Sequence, residues 1–273
     1  MIESIIDLAK NLDSKSQSFQ EEAVSRLQSF SLDLPIDEFN DQLATWILKT
    51  KLPTQLNVFN NFGQPPVTIF NNEEFVIDLY FWMYSDTSIH THAFNGAFKV
   101  LYGESKQDLF EIKGLKTYQD DVKLNDITVS ESKILHQGDC QQIIRGDSFC
   151  HRVIHHASPT ITLCIRTIHD KNTPQWHQFE NGLSILKVEL EEEVYKAIFF
   201  FEFLLSQNHQ SASKFLNEII NKYPPSVIMN LFEEVLSGSI GLNDEATEVF
   251  HDNVLKKYRK KEWFKLYLKA CEA

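Results

Sequence analysis

Between about residue 66 and residue 190 the chain is a succession of short runs rich in Val, Ile, Thr, Phe and Tyr, separated by turn residues at close spacing. In order they are "PVTIF", "FVIDLYFWMY", "SIHTHAFNGAFKVLYG", "DLFEIKGL", "DITVSE", "SKILHQGD", "CQQIIRG", "FCHRVIHH", "TITLCIRTI" and "GLSILKVEL". Parallel strands need crossover connections of roughly a dozen residues or more, usually helical, and these runs leave no room for them. The pattern therefore predicts an antiparallel sandwich or barrel.

On either side the period changes from two to that of a helix. Ile5, Ile6, Leu8, Ala9 and Leu12, then Ala23, Val24 and Leu27, repeat at helical spacing, and "DEFNDQLATWILK" does the same behind the Leu34-Pro35 pair. "LPTQLNVFNNFGQPP" then breaks the period with Pro and Gly. After residue 190, "EEEVYKAIFFFEFLLSQ", "SASKFLNEIINKY", "PSVIMNLFEEVLSG" and "LNDEATEVFHDNVLKKYRKKEWFKLYLKAC" are helical again. The expectation is a mainly β fold with α flanks: an N-terminal helical segment over 1–55, a small β-barrel domain over 56–190 and a C-terminal helical region over 191–273. A chain of 273 residues can bury the core of one large domain, or of one medium domain with helical additions.

Charge narrows the function classes. With Lys+Arg 26 against Asp+Glu 38 the formal net charge is -12, and the arginines are confined to positions 26, 145, 152, 166 and 259. That argues against a surface that tracks phosphates, so no nucleic-acid partner is expected. The basic run "KKYRKKEWFK" reads as a solvated helix face. Cys140, Cys150, Cys164 and Cys271 show no CxxC spacing, which suits a reducing, cytoplasmic compartment. The N-terminus lacks the features of a signal peptide, and "AIFFFEFLL" is far shorter than the ~20 apolar residues of a membrane span, so no membrane association is expected.

Within the β region, His90 and His92 alternate with Ile89 and Thr91 and so share one face of a strand. Two imidazoles placed this way can converge on one ion, and His151 in "GDSFCHRVIHH" offers a third from another strand. Taken alone, the pattern fits metal ligands and hydrogen-bonded core histidines equally well.

"HTHAFNGAFKVLYG" resembles the first cupin motif, with Gly96 where a glutamate is usual and Gly103 as the closing glycine. "GDCQQIIRGDSFCH" resembles the second, with Gly138, Gly146 and His151; Ile144 replaces the usual proline and two extra residues precede the histidine. More narrowly, "CHRVIHHASPTITLCIRT" and the missing glutamate are similar to the cysteine dioxygenase (thiol dioxygenase) group, over roughly residues 66 to 170. The resemblance implies a cupin double-stranded β-helix in which His90, His92 and His151 hold a mononuclear metal. Fe(II) is the expected ion, with Mn, Ni, Cu or Zn as other divalent possibilities. It further implies an oxidoreductase that uses O2 on a small thiol or amino-acid-like carboxylate substrate.

The chain also departs from that group. Thr162, Cys164 and Arg166 stand where the group has Ser, His and Tyr, and no arginine lies between Arg26 and Arg145 to take the role of the group's upstream arginine, which grips the substrate carboxylate. By strand alternation Arg166 faces inward with Thr162 and Cys164. There it serves either to pair with a substrate carboxylate or to form an internal salt bridge. His155, four residues beyond His151, reads as a hydrogen-bond partner of the ligands or a general acid/base. Tyr80, Trp82 and Tyr84 share a strand face and either pack the barrel wall or shape a substrate pocket. Two other function classes stay open: a non-catalytic cupin acting through a protein partner, and another metal-cupin enzyme such as an isomerase or carbon-centred oxygenase. The apolar stretches "AIFFFEFLL" and "VIMNLFEEVL" suit packing on the barrel or a homodimer.

Overall fold

The structure is a computed structural model that describes residues 1–56, 63–64, 66–83 and 87–271. Its helices are α1 (Ile2–Ile6), α2 (Phe19–Ser29), α3 (Ile36–Lys49), α4 (Glu192–Ser206), α5 (Ala212–Lys222), α6 (Pro225–Leu236), α7 (Asp244–Tyr258) and α8 (Glu262–Cys271). The strands are β1 (Pro66–Asn71), β2 (Phe75–Trp82), β3 (Ile89–His92), β4 (Gly96–Tyr102), β5 (Ser105–Gln119), β6 (Val122–Leu135), β7 (Cys140–Ile143), β8 (Gly146–His155), β9 (Thr160–Thr167), β10 (Trp176–Gln178) and β11 (Leu183–Leu186). One sheet has the order β1-β2-β9-β4-β7, and the other, β10-β11-β6-β5-β8-β3, closes into a barrel. The registered pairs are antiparallel throughout, as the lack of crossover helices requires.

The expectation of separate short strands at "DLFEIKGL", "DITVSE" and "SKILHQGD" is corrected. These residues form two neighbouring strands, β5 of 15 residues and β6 of 14. Gly114 and Asp126 occupy exposed positions inside paired strands, where neither needs to pack against a core.

The chain divides into two compact units, Met1–Ile112 with Thr128–Gln175, and Lys113–Ile127 with Trp176–Ala273. In the first, alternation along β2, β4 and β9 sorts residues between two faces. The odd-numbered set, including Ile77, Leu79, Ala97, Leu101, Ile161, Leu163 and Ile165, forms a core with Phe19, Ala23 and Leu27 of α2 and Phe39 and Leu43 of α3. Lys99 lies on the same face, and its Nζ donates to the carbonyls of Leu27 (2.9 Å) and Phe30 (2.6 Å), satisfying acceptors at the end of α2. The even-numbered set turns to the other face, where the histidines are.

In the second unit, Val122, Leu183 and Ile185 pack with the apolar faces of the C-terminal helices. Asp121 Oδ2 accepts from the backbone N–H of Ser226 (2.6 Å), and the Asn243 side chain accepts from Ala246 N–H (2.8 Å), so α6 and α7 each begin with a satisfied donor. No helix among the described residues is long and apolar enough to cross a membrane.

Candidate metal centre

β3 and β8 pair with His90 opposite His151 and, two residues on, His92 opposite Gly146. Two steps on β3 are thus matched by five on β8. The slip absorbs the extra residues noted before His151, so the insertion leaves the histidine in place. Each of the three imidazoles is almost fully buried: His90 is 6%, His92 3% and His151 3% exposed.

One ligand atom from each histidine lies within 4.8 Å of the others. The Nε2 atoms of His92 and His151 are 3.0 Å apart, and the His90 and His92 ring centroids are 4.6 Å apart. His90 Nδ1 donates to the Ser88 carbonyl (2.7 Å), and the Gln107 amide lies 2.8 Å from His151 Nδ1. Both rings are held by the nitrogen that faces away from the cluster; with the Gln107 amide turned so that its partnerless Oε1 accepts from His151 Nδ1–H, the Nε2 of each ring faces the cluster with its lone pair. Burial, with the neighbouring His90 ring second, pushes the pKa values of His92 and His151 well below the usual imidazole range. At neutral pH these rings are uncharged and carry lone pairs.

These residues fit a metal ion. Two Nε2 lone pairs 3.0 Å apart repel unless a proton or cation lies between them. That separation is also the edge of an octahedron with metal–nitrogen bonds of about 2.1 Å. No carboxylate among the described residues belongs to the cluster. At position 96, the slot of the usual glutamate, a Cβ would overlap the Ile165 carbonyl oxygen and lie 2.9 Å from Cα and Cβ of Arg166. Gly96 is thus required by the close approach of β4 to β9.

Beside the histidines is a pocket of about 470 Å³, its mouth included, lined by His92 and His151 and by Tyr80, Trp82, Phe94, Phe98, Ile143 and Val153 among others. Thr162, Cys164 and His155 line it too, so the structure brings these sequence-selected residues together. Trp82 Nε1 donates to Thr162 Oγ1 (3.0 Å), and the His155 ring stacks on Trp82 at 4.5 Å while its Nδ1 lies 2.9 Å from Ser105 Oγ. Burial pushes the Cys164 thiol up to about 12, so it stays protonated and inert. Tyr84 lies outside the described residues.

Arg166 is inward and buried, but it is not among the residues that line the pocket. Its Nε and a terminal nitrogen donate to Asp78 Oδ2 at 3.1 and 3.0 Å, and its guanidinium lies 5.2 Å from the Phe94 ring centre. Asp78, 2% exposed, also accepts from Thr68 Oγ1 (2.7 Å) and Tyr80 OH (3.0 Å). Of the two readings of Arg166, the geometry shows the internal ion pair. Sequence reasoning did not select Asp78, although an acid in the middle of "FVIDLYF", level with inward positions, was the available signal. It also missed Gln107, whose sequence neighbourhood carries no signal at all.

The antiparallel sheets, one of them closed into a barrel, and the facing histidines define a β-barrel protein with a buried three-histidine cluster. No family model and no curated protein matches the chain. Among solved structures it is similar to hydroquinone 1,2-dioxygenase from Sphingomonas sp. TTNP3 with 4-hydroxybenzoate bound, at 14% identity over 41% of this chain and 70% of that one, TM-score 0.31. It is similar also to the DMSP lyase DddQ from Ruegeria pomeroyi DSS-3, at 12% identity over 56% and 74%, TM-score 0.32. A third is a conserved protein with a double-stranded β-helix domain from Klebsiella pneumoniae subsp. pneumoniae MGH 78578, at 12% identity over 47% and 91%, TM-score 0.28. At this degree of likeness the chemistry rests on the chain's own side chains.

Proposed function

We propose that the protein is a mononuclear metal-dependent oxygenase that acts with O2 on a small thiol, with Fe(II) as the metal. The observation that carries this reading is a cluster of three buried imidazole nitrogens, all within 4.8 Å, joined by no carboxylate of the described residues. Bound Fe(II) supplies a Lewis-acidic, redox-active centre with positions open to a substrate donor atom and to dioxygen.

The protein's own groups prepare that setting. His90, His92 and His151 add no charge, which favours an anionic sulfur as the substrate's donor atom. Ser88 and Gln107 fix the rings of His90 and His151. Phe98, Trp82 and Val153 give the pocket apolar walls. Cys164, kept protonated by burial, does not compete with the substrate thiol. His155, on the pocket wall and held at Nδ1 by Ser105, is placed to take or return the thiol proton.

The test is to purify the protein, measure its bound metals and follow oxygen uptake across a panel of small thiols, amino acids and phenols. Stoichiometric iron with thiol-dependent uptake is the expected result. A wild-type protein without metal, indistinguishable from the His90→Ala/His92→Ala double variant, overturns the reading.

A further inference from the structure

We propose that Asp78 sets the ligand class of the pocket. By holding Arg166 in an internal ion pair, it makes the site select uncharged, largely apolar small molecules and reject carboxylates. The inference deepens the oxygenase reading and rests on it for the location of the site.

The relevant positions lie level with one another across the sheet. In the β2–β9 register Asp78 faces Cys164 and Tyr80 faces Thr162; in the β4–β9 register Phe98 faces Cys164 and Gly96 faces Arg166. Cys164, Thr162, Tyr80 and Phe98 line the pocket, so the Asp78–Arg166 pair sits one rung from its wall. An inward arginine so close to a pocket is the group expected to recruit an anion. Here two of its nitrogens are already spent on Asp78 Oδ2.

The carboxylate is itself built in, with Oδ1 taken by Thr68 and Oδ2 shared with Tyr80. A ligand carboxylate would have to displace a fully buried, multiply bonded partner, and the released Asp78 would then be a buried, uncompensated charge. The pocket walls next to the pair, Phe94 and Phe98, offer such a ligand nothing in return.

The experiment compares two thiols of equal length that differ in one end group, 3-mercapto-1-propanol and 3-mercaptopropionate. Their binding to the Zn(II)-loaded protein is measured by anaerobic calorimetry, with no turnover. The wild type is expected to bind the alcohol at least about tenfold more tightly than the acid, the scale of one lost charge-assisted bond. Asp78→Asn keeps the shape and the acceptor for Thr68, lets the Tyr80 hydroxyl accept from the new amide instead of donating to it, and frees Arg166; it should shift the ratio toward the acid by about tenfold or more.

Should the single variant fold poorly, Asp78→Asn/Arg166→Met removes both charges and should retain the preference for the alcohol. Equal binding of the two thiols by the wild type, binding of neither, an unchanged ratio in natively folded Asp78→Asn, or loss of the preference in the double variant overturns the inference. If the preference holds but the iron-loaded protein consumes no oxygen with any thiol, the oxygenase reading alone falls.

Discussion

Gly96 stands directly opposite Arg166 across the antiparallel β4–β9 pair, so close that a side-chain carbon on residue 96 would lie 2.9 Å from the arginine's Cα and Cβ. The slot in which the motif resemblance would place a glutamate is thus occupied by the neighbouring strand and the root of an arginine. The all-histidine cluster is a consequence of packing as much as of ligand choice.

Putting the carboxylate back should therefore fail. Gly96→Glu forces β4 away from β9, and Gly96→Ala already meets backbone that cannot yield. We expect Gly96→Glu to cost more than about 3 kcal/mol, the upper range for overpacking a core. In a chain of this size that lowers the melting temperature by about 6–12 °C. Thermal unfolding followed by circular dichroism measures the loss, and a stable variant with restored four-ligand binding contradicts the argument.

Metal binding should appear as stability. An ion that binds only the folded state stabilises it by about 2.7 kcal/mol at a hundredfold excess over its dissociation constant. Adding Fe(II) anaerobically, or Zn(II), should therefore raise the melting temperature of chelator-treated protein by several degrees. His151→Ala should abolish the shift, because only His90 and His92 remain. A shift of unchanged size in that variant places the ion elsewhere.

Gln107 holds His151 from behind. Replacing it with Leu leaves the ring free to turn and should weaken metal affinity by about 10- to 100-fold, the usual cost of losing such a partner. Competition against a chromophoric chelator measures the affinity. The metal-free variant should lose less than about 1.5 kcal/mol of stability, since the amide makes one bond there.

The pH dependence of stability should include Asp108, whose side chain is only 3% exposed. Burial by itself would raise its pKa, but bonds from Ser132 (2.7 Å), Lys106 (3.0 Å) and Arg152 (3.1 Å) outweigh that and hold it below the ordinary carboxylate value. A carboxyl with a depressed folded pKa contributes stability above its unfolded pKa of about 3.9, and that contribution is lost as pH falls through the folded value. Asp108→Asn should cost about 2 kcal/mol at neutral pH, the scale of charge-assisted hydrogen bonds. The gap from wild type should close as pH falls below the unfolded value and through the depressed folded one. Urea unfolding at a series of pH values gives the comparison.

What could be read in advance follows the reach of local rules. A period of two is enough to put His90 beside His92, and to turn Thr162, Cys164 and Arg166 to one face. Both inferences need only the strand they lie on. Whether Arg166 meets a substrate or Asp78 depends on the register between β2 and β9, a pairing of residues 88 positions apart that no local pattern encodes. The length of β5 and β6 was obscured for a related reason. Gly114 and Asp126 are poor strand formers, and the pairing of the two strands overrides their propensity. Gly96 was noticed for the carboxylate it lacks, whereas its cause is the backbone of a strand about 70 residues further on.

Strand β4 is read from both sides. Phe98 faces the pocket and Lys99, the next residue, fastens the end of α2 by two carbonyls. A mutational library aimed at altering substrate range would therefore find β4 the least forgiving wall, because changes there propagate into helix packing. Ile143, which lines the pocket from β7 at the edge of its sheet, is the more permissive starting point. Successive substitutions that enlarge the site should accumulate there first.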